Sequence, residues 1–145
     1  MLKREYIMYQ EQTLLNVETH GQGLYDITDV VHNWVQSTSM ETGLLTMFIQ
    51  HTSASLIIQE NADPDVQLDL QAAMGRLAPH DPRLYVHRDE GPDDMPAHIK
   101  STLVGSSISI PISNHRLNLG VWQGIYLCEF RNHAGKRQLV ATIYS

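Results

Sequence analysis

Two spacings of apolar residues alternate along this chain, one of period two and one of about 3.6, and the switches between them outline its elements. From residue 5 to 19, Tyr, Ile, Thr, Leu and Val are interleaved with polar residues, as in a strand or hairpin. Gly21 and Gly23 mark a turn. Val30, Val31, Trp34 and Val35 recur at helical spacing, which predicts a helix capped by Asp26 or Thr28 and running to Ser37. Gly43 closes the connection that follows. Residues 44–50 form an apolar, buried strand, and residues 56–59 a second strand or the end of a bent one.

Asp63-Pro64 is a helix start, with the carboxylate as cap and proline at the first helical position. The helix extends to Leu77, with Val66, Leu70, Ala73, Met74 and Leu77 facing the core, and Pro79 and Pro82 stop it. Residues 79–97 form a loop carrying His80, His87, Asp89, Glu90, Asp93 and Asp94. A short helix at 97–104 and a strand at 107–112 come next. A long strand at 117–130 is interrupted by Gly120 and Gly124, residues 132–135 form a hairpin turn, and 138–144 is a last alternating strand. Strands cluster at both ends with helices between. That order predicts an α+β fold of mostly antiparallel β-sheet with a few helices, a single compact domain over residues 1–145.

Composition narrows the function classes. A chain of 145 residues with 42% hydrophobic and 18% charged residues suits one globular domain. Its net charge of −6 argues against a nucleic-acid partner, which needs a basic face. The single cysteine, Cys128, excludes an internal disulfide and sits in a strand-like run as a small buried hydrophobe. Neither a signal-type apolar core nor a run of membrane-spanning length is visible, so a cytoplasmic location is expected.

The chemistry concentrates between residues 51 and 65. His51 stands at the end of an apolar strand, where an imidazole can act as general base, metal ligand or phosphate contact, or be hydrogen-bonded into the core. Ser53, Ser55, Glu60 and Asn61 follow. Glu60 and Asp65 form a candidate acid–base pair, and the free amides after Pro64 a candidate anion site. His87 and His98 are separated by acids, and with His51 they make a candidate three-histidine site for a divalent metal, zinc or magnesium. Trp122 reads as core packing, whereas Gln123 is a polar amide in an apolar strand and needs partners. Arg131, Lys136 and Arg137 read as a solvated hairpin tip. No Walker-type loop, dinucleotide fingerprint or Gly-x-Ser-x-Gly elbow is present.

Three segments together resemble the YjbQ family. They are His51-Thr52-Ser53-Ala54-Ser55 through Glu60-Asn61 and Asp63-Pro64-Asp65, then Asp94-Met95-Pro96-Ala97-His98-Ile99-Lys100, then Ser107-Ile108-Ser109-Ile110-Pro111-Ile112 followed by Leu119-Gly120-Val121-Trp122-Gln123. Two positions depart from the family pattern: His115 stands in place of Gly, and Val121 in place of the Thr before the tryptophan. The resemblance implies an α+β fold, a homotrimer and a thiamine-phosphate synthase activity, a transferase reaction joining a pyrimidine pyrophosphate to a thiazole phosphate, with a different main substrate left open. It carries over His51, Glu60, Asn61, Asp65, His87, His98 and Gln123 as site residues. The first expectation is therefore an enzyme acting on a small phosphorylated metabolite, with His51 as base or ligand, Glu60 as its acid partner and His98 as second base or ligand. A non-catalytic trimeric module that binds a metal or metabolite is the second. A structural oligomer with histidines at its interfaces is the third.

Overall fold

The computed structural model describes residues 7–145, so residues 5 and 6 of the expected first strand lie outside the described part. In chain order the elements are β1 (Gln10–His20), β2 (Gly23–Asp26), α1 (Thr28–Ser37), β3 (Gly43–Ile49), β4 (Ala54–Glu60), α2 (Pro64–Leu77), α3 (Asp94–Val104), β5 (Ser107–Ser113), β6 (Arg116–Leu117), β7 (Gln123–Glu129) and β8 (Ala134–Tyr144). The strands form two antiparallel sheets, one ordered β1-β8-β3-β5-β6 and the other β2-β7-β4.

The main core lies between the sheets. Leu45, Met47 and Ile49 of β3 and Leu139, Ala141 and Ile143 of β8 meet Leu56 of β4 and Ile125 and Leu127 of β7, with Val31 and Val35 of α1 packed in. The smaller sheet is covered on its other face too, where Ala97 of α3 packs with Cys128 and Phe130. β7 is therefore buried on both faces, which is why its sequence reads as a continuous apolar run rather than an alternation.

Several local expectations hold. The Asp63 side chain accepts a hydrogen bond from the Asp65 amide, and Pro64 opens α2. The cap expected of α1 differs: its N-cap is Ile27 with no side-chain cap, although Asp26 Oδ1 accepts from the Thr28 amide at 2.9 Å just ahead of it. Gly43 is required where it stands, because a Cβ there would lie 2.7 Å from the Tyr144 carbonyl oxygen. The β5–β6 hairpin turns on Asn114 and His115, both left-handed at φ of 52° and 59°. His115 takes the strained position that a glycine would fill without cost, and its amide is held by the Glu41 carbonyl at 3.1 Å.

Other expectations are corrected. α3 begins at Asp94 rather than Ala97, because Pro96 sits in the first turn, where a missing N–H removes no helical bond. The strand expected at 117–130 is two strands separated by a turn. In that turn Gln123 Oε1 accepts from the Gly120 amide at 2.8 Å, and Trp122 is 62% exposed at the tip rather than packed in the core. α2 buries none of its residues completely, and Leu77 faces solvent. Residues 132–135 are not a hairpin turn, since β7 and β8 belong to different sheets.

That last correction exposes the organising feature of the fold. The described chain changes sheet six times, and three of these crossings, the loops at 21–22, 50–53 and 130–133, meet at one corner. Side-chain bonds tie the three crossings together. Gln22 Nε2 donates to Asn132 Oδ1 at 2.6 Å, and Thr19 Oγ1 donates to Glu129 Oε1 at 2.6 Å. Arg137 Nη2 donates to Ser53 Oγ at 3.0 Å. A corner at which backbone leaves a sheet must satisfy its polar groups some other way, and here polar side chains do it. Among the described residues, no helix is long and apolar enough to cross a membrane.

Candidate functional site

The first turn of α3 carries Asp93 and Asp94, which are both buried. Asp94 and His98 are four residues apart, so they share one helix face. Asp94 Oδ2 lies 3.1 Å from His98 Nε2 and 2.7 Å from His87 Nε2, and His87 Nε2 lies 3.2 Å from Glu90 Oε2. One ligand atom from each of His87, Glu90, Asp94 and His98 falls within 4.8 Å of all the others. The other side of Asp94 is fixed by Arg131, whose Nη1 donates to Asp94 Oδ1, Nε to Asp93 Oδ2 at 2.9 Å and Nη2 to the Glu90 carbonyl at 2.9 Å.

The His98 tautomer is set by its surroundings. Nδ1 lies 2.9 Å from the Thr52 carbonyl oxygen, which only accepts, so Nδ1 carries the proton. In the neutral ring Nε2 then points a lone pair at a carboxylate oxygen. That contact is repulsive unless a proton or a metal cation lies between the two atoms. A histidine that donates one N–H to a carbonyl and turns its other nitrogen toward a carboxylate has the arrangement of a metal ligand. Imidazole nitrogens with carboxylate oxygens fit zinc best among common divalent ions. The hydrogen bond to Asp94 holds the His87 imidazole above its ordinary value. Burial pushes Asp94 up, but its bonds to His87 and the charge of Arg131 outweigh that and leave it below the usual carboxylate range.

His51 does not join this cluster. It sits in the 50–53 crossing, and its Nε2 accepts the Gln138 amide proton at 2.8 Å. Its Nδ1 therefore carries the proton, so the 3.3 Å approach of Arg137 Nη1, itself only a donor, is not a hydrogen bond. Arg137 is clamped on Glu129, through Nε to Oε1 at 2.8 Å and through Nη2 to Oε2. Arg131 and Arg137 are thus partly buried and ion-paired to buried acids, not members of a solvated tip. Burial and then the Arg137 charge lower the His51 pKa, against an opposing pull from Glu129. The folded state so disfavours charging His51. Its contribution to stability is full above about pH 6.5 and is lost as the pH falls through the lower folded value. His87 acts in the opposite sense, losing its contribution as the pH rises. His51→Gln keeps a group able to accept from the Gln138 amide but cannot titrate. Melting temperatures measured between pH 7 and 5 should therefore fall less steeply for the variant than for the unaltered protein, and equal slopes would assign the acid sensitivity elsewhere.

The remaining expected site residues gather at the far end of β4, a strand about 20 Å long at about 3.3 Å per residue, away from the end that follows His51. Glu60 Oε2 accepts from the Asp63 amide at 2.9 Å, so Glu60 is not the acid partner of His51 within one chain. Asn61 Nδ2 donates to the Gln123 carbonyl at 3.3 Å, the Gln123 side chain closes its own turn, and Asp65 is exposed. Burial pushes the Cys128 thiol up to about 12, which removes thiolate chemistry at neutral pH.

The sequence singles out His87 and His98 but gives no role to Asp94, Glu90 or Arg131. The available signal is the four-residue spacing of Asp94 and His98, hidden when the helix is expected to start after Pro96. Beside His98 and His51 opens a cleft of about 620 Å3 bordered by Phe48, Thr52, Thr102 and Ser106.

Comparison with known proteins places the fold. A family model described as UPF0047 protein YjbQ-like matches residues 13–145. A UPF0047 protein of Synechocystis is 48% identical over 134 residues, covering 92% of this chain and 91% of the relative. The UPF0047 protein YjbQ of Salmonella typhimurium is 41% identical, covering 91% of this chain and 96% of its own. A crystal structure from Clostridium acetobutylicum, described as an uncharacterized conserved protein of the yjbq/upf0047 family, is 35% identical with a TM-score of 0.77, covering 95% of this chain and 99% of that one. A YbjQ-like protein of unknown function from Sulfolobus solfataricus is 21% identical and shares the fold, with a TM-score of 0.83 over 94% of this chain and 99% of that one. The fold is thus shared with these structures, and this chain belongs to the YjbQ-like UPF0047 family.

Proposed function

We propose that the protein is an enzyme acting on a small phosphorylated metabolite, with His87, Asp94 and His98 holding a divalent cation and Glu90 at its open side. The observation that carries this reading is the convergence of His98 Nε2, whose ring turns Nδ1 toward the Thr52 carbonyl, with His87 Nε2 on Asp94 Oδ2 beside Glu90. A cation held there would neutralise phosphate charge and act as a Lewis acid. The chain's own part is to keep the ligands oriented. Arg131 holds Asp94 from behind, the Thr52 carbonyl orients His98, and the cleft beside His98 gives the substrate room. The transferase reaction implied by the family resemblance fits such a site. The thiazole nitrogen attacks the methylene carbon of the pyrimidine pyrophosphate, a C–N bond forms, the C–O bond breaks, and pyrophosphate leaves with the electron pair.

A second reading, a metal-binding module without turnover, is favoured by His51, whose accepting nitrogen is already committed to the Gln138 amide and is not free to act as base. One set of measurements separates the two. Untagged protein stripped with a chelator should bind one zinc per chain in calorimetry, and the reloaded protein should convert the two phosphorylated substrates to thiamine phosphate. Zinc uptake without turnover selects the module, and indifference to both zinc and magnesium removes the metal centre.

We further propose a homotrimer in the cytoplasm, its assembly supported by the exposure of Val121 and Trp122 beside Gln123. A neighbouring copy would bring the Glu60, Asn61 and Gln123 end toward the His98 cleft. Light scattering should then give three times the chain mass.

A further inference from the structure

On α3, His98 and Lys100 are two residues apart and point about 200° away from one another. The histidine faces the metal cluster. The lysine faces a separate cavity of about 240 Å3 between the smaller sheet and α2, lined among others by Leu24, Ile57, Leu70, Met74 and Phe130. Apolar walls alone would make this an ordinary packing defect. Lys100 makes it something else.

Lys100 is only 3% exposed. Its ammonium has three protons to donate, and one acceptor meets it, Gln22 Oε1 at 3.3 Å. The Phe130 ring centroid lies 5.9 Å away, at the outer limit of a cation–π contact. Among the described residues, no carboxylate lies within 4.0 Å of Nζ to form an ion pair. The two nearby acids are engaged elsewhere. Glu129 also borders the cavity, but its oxygens are held by Arg137, Thr19 and the Arg131 amide. Asp93 Oδ2 accepts from Arg131 and from the Asn132 amide. The Asp93 charge reaches Lys100 only at a distance, and a buried cation without a direct ion-pair partner is costly, so proteins that keep one usually give it a partner.

We infer that the cavity beside Lys100 is a binding site for a small organic anion, a carboxylate or phosphate on an apolar ring or short chain. The anionic group meets the Lys100 ammonium, and the apolar part lies against Ile57, Leu70, Met74 and Phe130. The volume is below the about 300–1,000 Å3 of drug-sized pockets, so the occupant is a single ring with a short substituent rather than a nucleotide. The site is separate from the metal cluster and does not depend on it.

The test uses benzoate and phenyl phosphate as anionic probes and benzamide as their neutral counterpart, followed by methyl chemical shifts of the full chain. Benzoate should move the Ile57, Leu70 and Met74 methyls in a saturable way. Lys100→Met keeps the length of the side chain and removes its charge. It should weaken benzoate by at least about tenfold, the worth of one charge-assisted hydrogen bond, and leave benzamide affinity nearly unchanged. Phenyl phosphate binding more tightly than benzoate would assign the natural ligand to the phosphates, and the reverse order to the carboxylates. Leu70→Trp, which narrows the cavity from α2 without touching the lysine, should weaken all three probes. His98→Ala should bind benzoate as the unaltered protein does, which keeps this result distinct from loss of the metal centre. Equal benzoate affinity with and without Lys100, saturable shifts confined to other regions, or no shift with any probe would each overturn the inference.

Discussion

Glu129→Leu should destabilise the protein by about 2–4 kcal/mol, toward the lower end for a broken buried pair because the Arg137 guanidinium it leaves without a counter-charge is only partly buried. Glu129 is 2% exposed and stands at the end of β7, where it is paired with Gly23 and Ala54 of the smaller sheet. Arg137 belongs to β8 in the larger sheet. Their two-point contact therefore joins the sheets at the corner where the chain crosses between them. Thr19 and the Arg131 amide also donate to the carboxylate, so both of its oxygens accept from more than one partner. The loss is to be read from urea unfolding of the single variant. The double variant Glu129→Leu with Arg137→Met removes both charges and should recover most of it, since the pair as a whole contributes little beyond what apolar packing can replace. A single-variant loss below about 1 kcal/mol would mean that water reaches the corner and screens the pair.

The pH dependence of that loss has a definite sign. Burial raises the Glu129 pKa, but the bonds from Arg137 and Thr19 outweigh it, and the net result lies below the ordinary glutamate value. Its stabilising contribution is full above about pH 4.5 and disappears as the pH falls through the lower folded value. The gap in stability between the unaltered protein and Glu129→Leu should close in that acid range.

Much of this fold was legible because its elements bury one face and signal their ends locally. The Asp63-Pro64 start of α2 and the apolar run of β3 needed no tertiary information. The residues of β7 were legible as a strand but not as the middle of a second sheet, because a strand buried on both faces loses its alternation. What sequence could not supply was the sheet to which each strand belongs. Residues 132–135 have the composition of a hairpin turn, yet 130–133 carry the chain from one sheet to the other and Gly135 already belongs to β8. For the same reason Arg131 and Arg137 looked like a solvated tip. Their partners lie 37 or 38 residues away for Arg131 and, for the Arg137 contact with Ser53, 84 residues away, separations at which no spacing rule operates. The candidate site divides along the same line. His51, Glu60 and Asn61 are close in sequence, but β4 holds the first apart from the other two. His87 and His98 are brought together by a loop folding back on the first turn of α3, over a carboxylate that spacing alone could have pointed to.

That carboxylate is where the second large effect is expected. Asp94→Asn should lower zinc affinity by more than about 100-fold. Changes to residues that merely support a ligand cost about 10–100-fold, and Asp94 is placed as a ligand itself. The substitution preserves shape. The amide oxygen it introduces can still accept from Arg131 Nη1, and Arg131 retains Asp93 Oδ2 and the Glu90 carbonyl, so the melting temperature without metal should change little. The separation of effects is diagnostic, because Glu129→Leu unfolds the corner whereas Asp94→Asn leaves it standing and removes its chemistry. A second readout comes from His87, whose pKa is raised chiefly by its bond to Asp94. In Asp94→Asn the His87 ring should titrate closer to about 6.5, and proton NMR of the metal-free protein follows it directly. Zinc binding as tight as in the unaltered protein would show that the two histidines converge on Asp94 only as a hydrogen-bonded staple. Loss of zinc together with the shift at His87 would establish Asp94 as the charge around which the site is built.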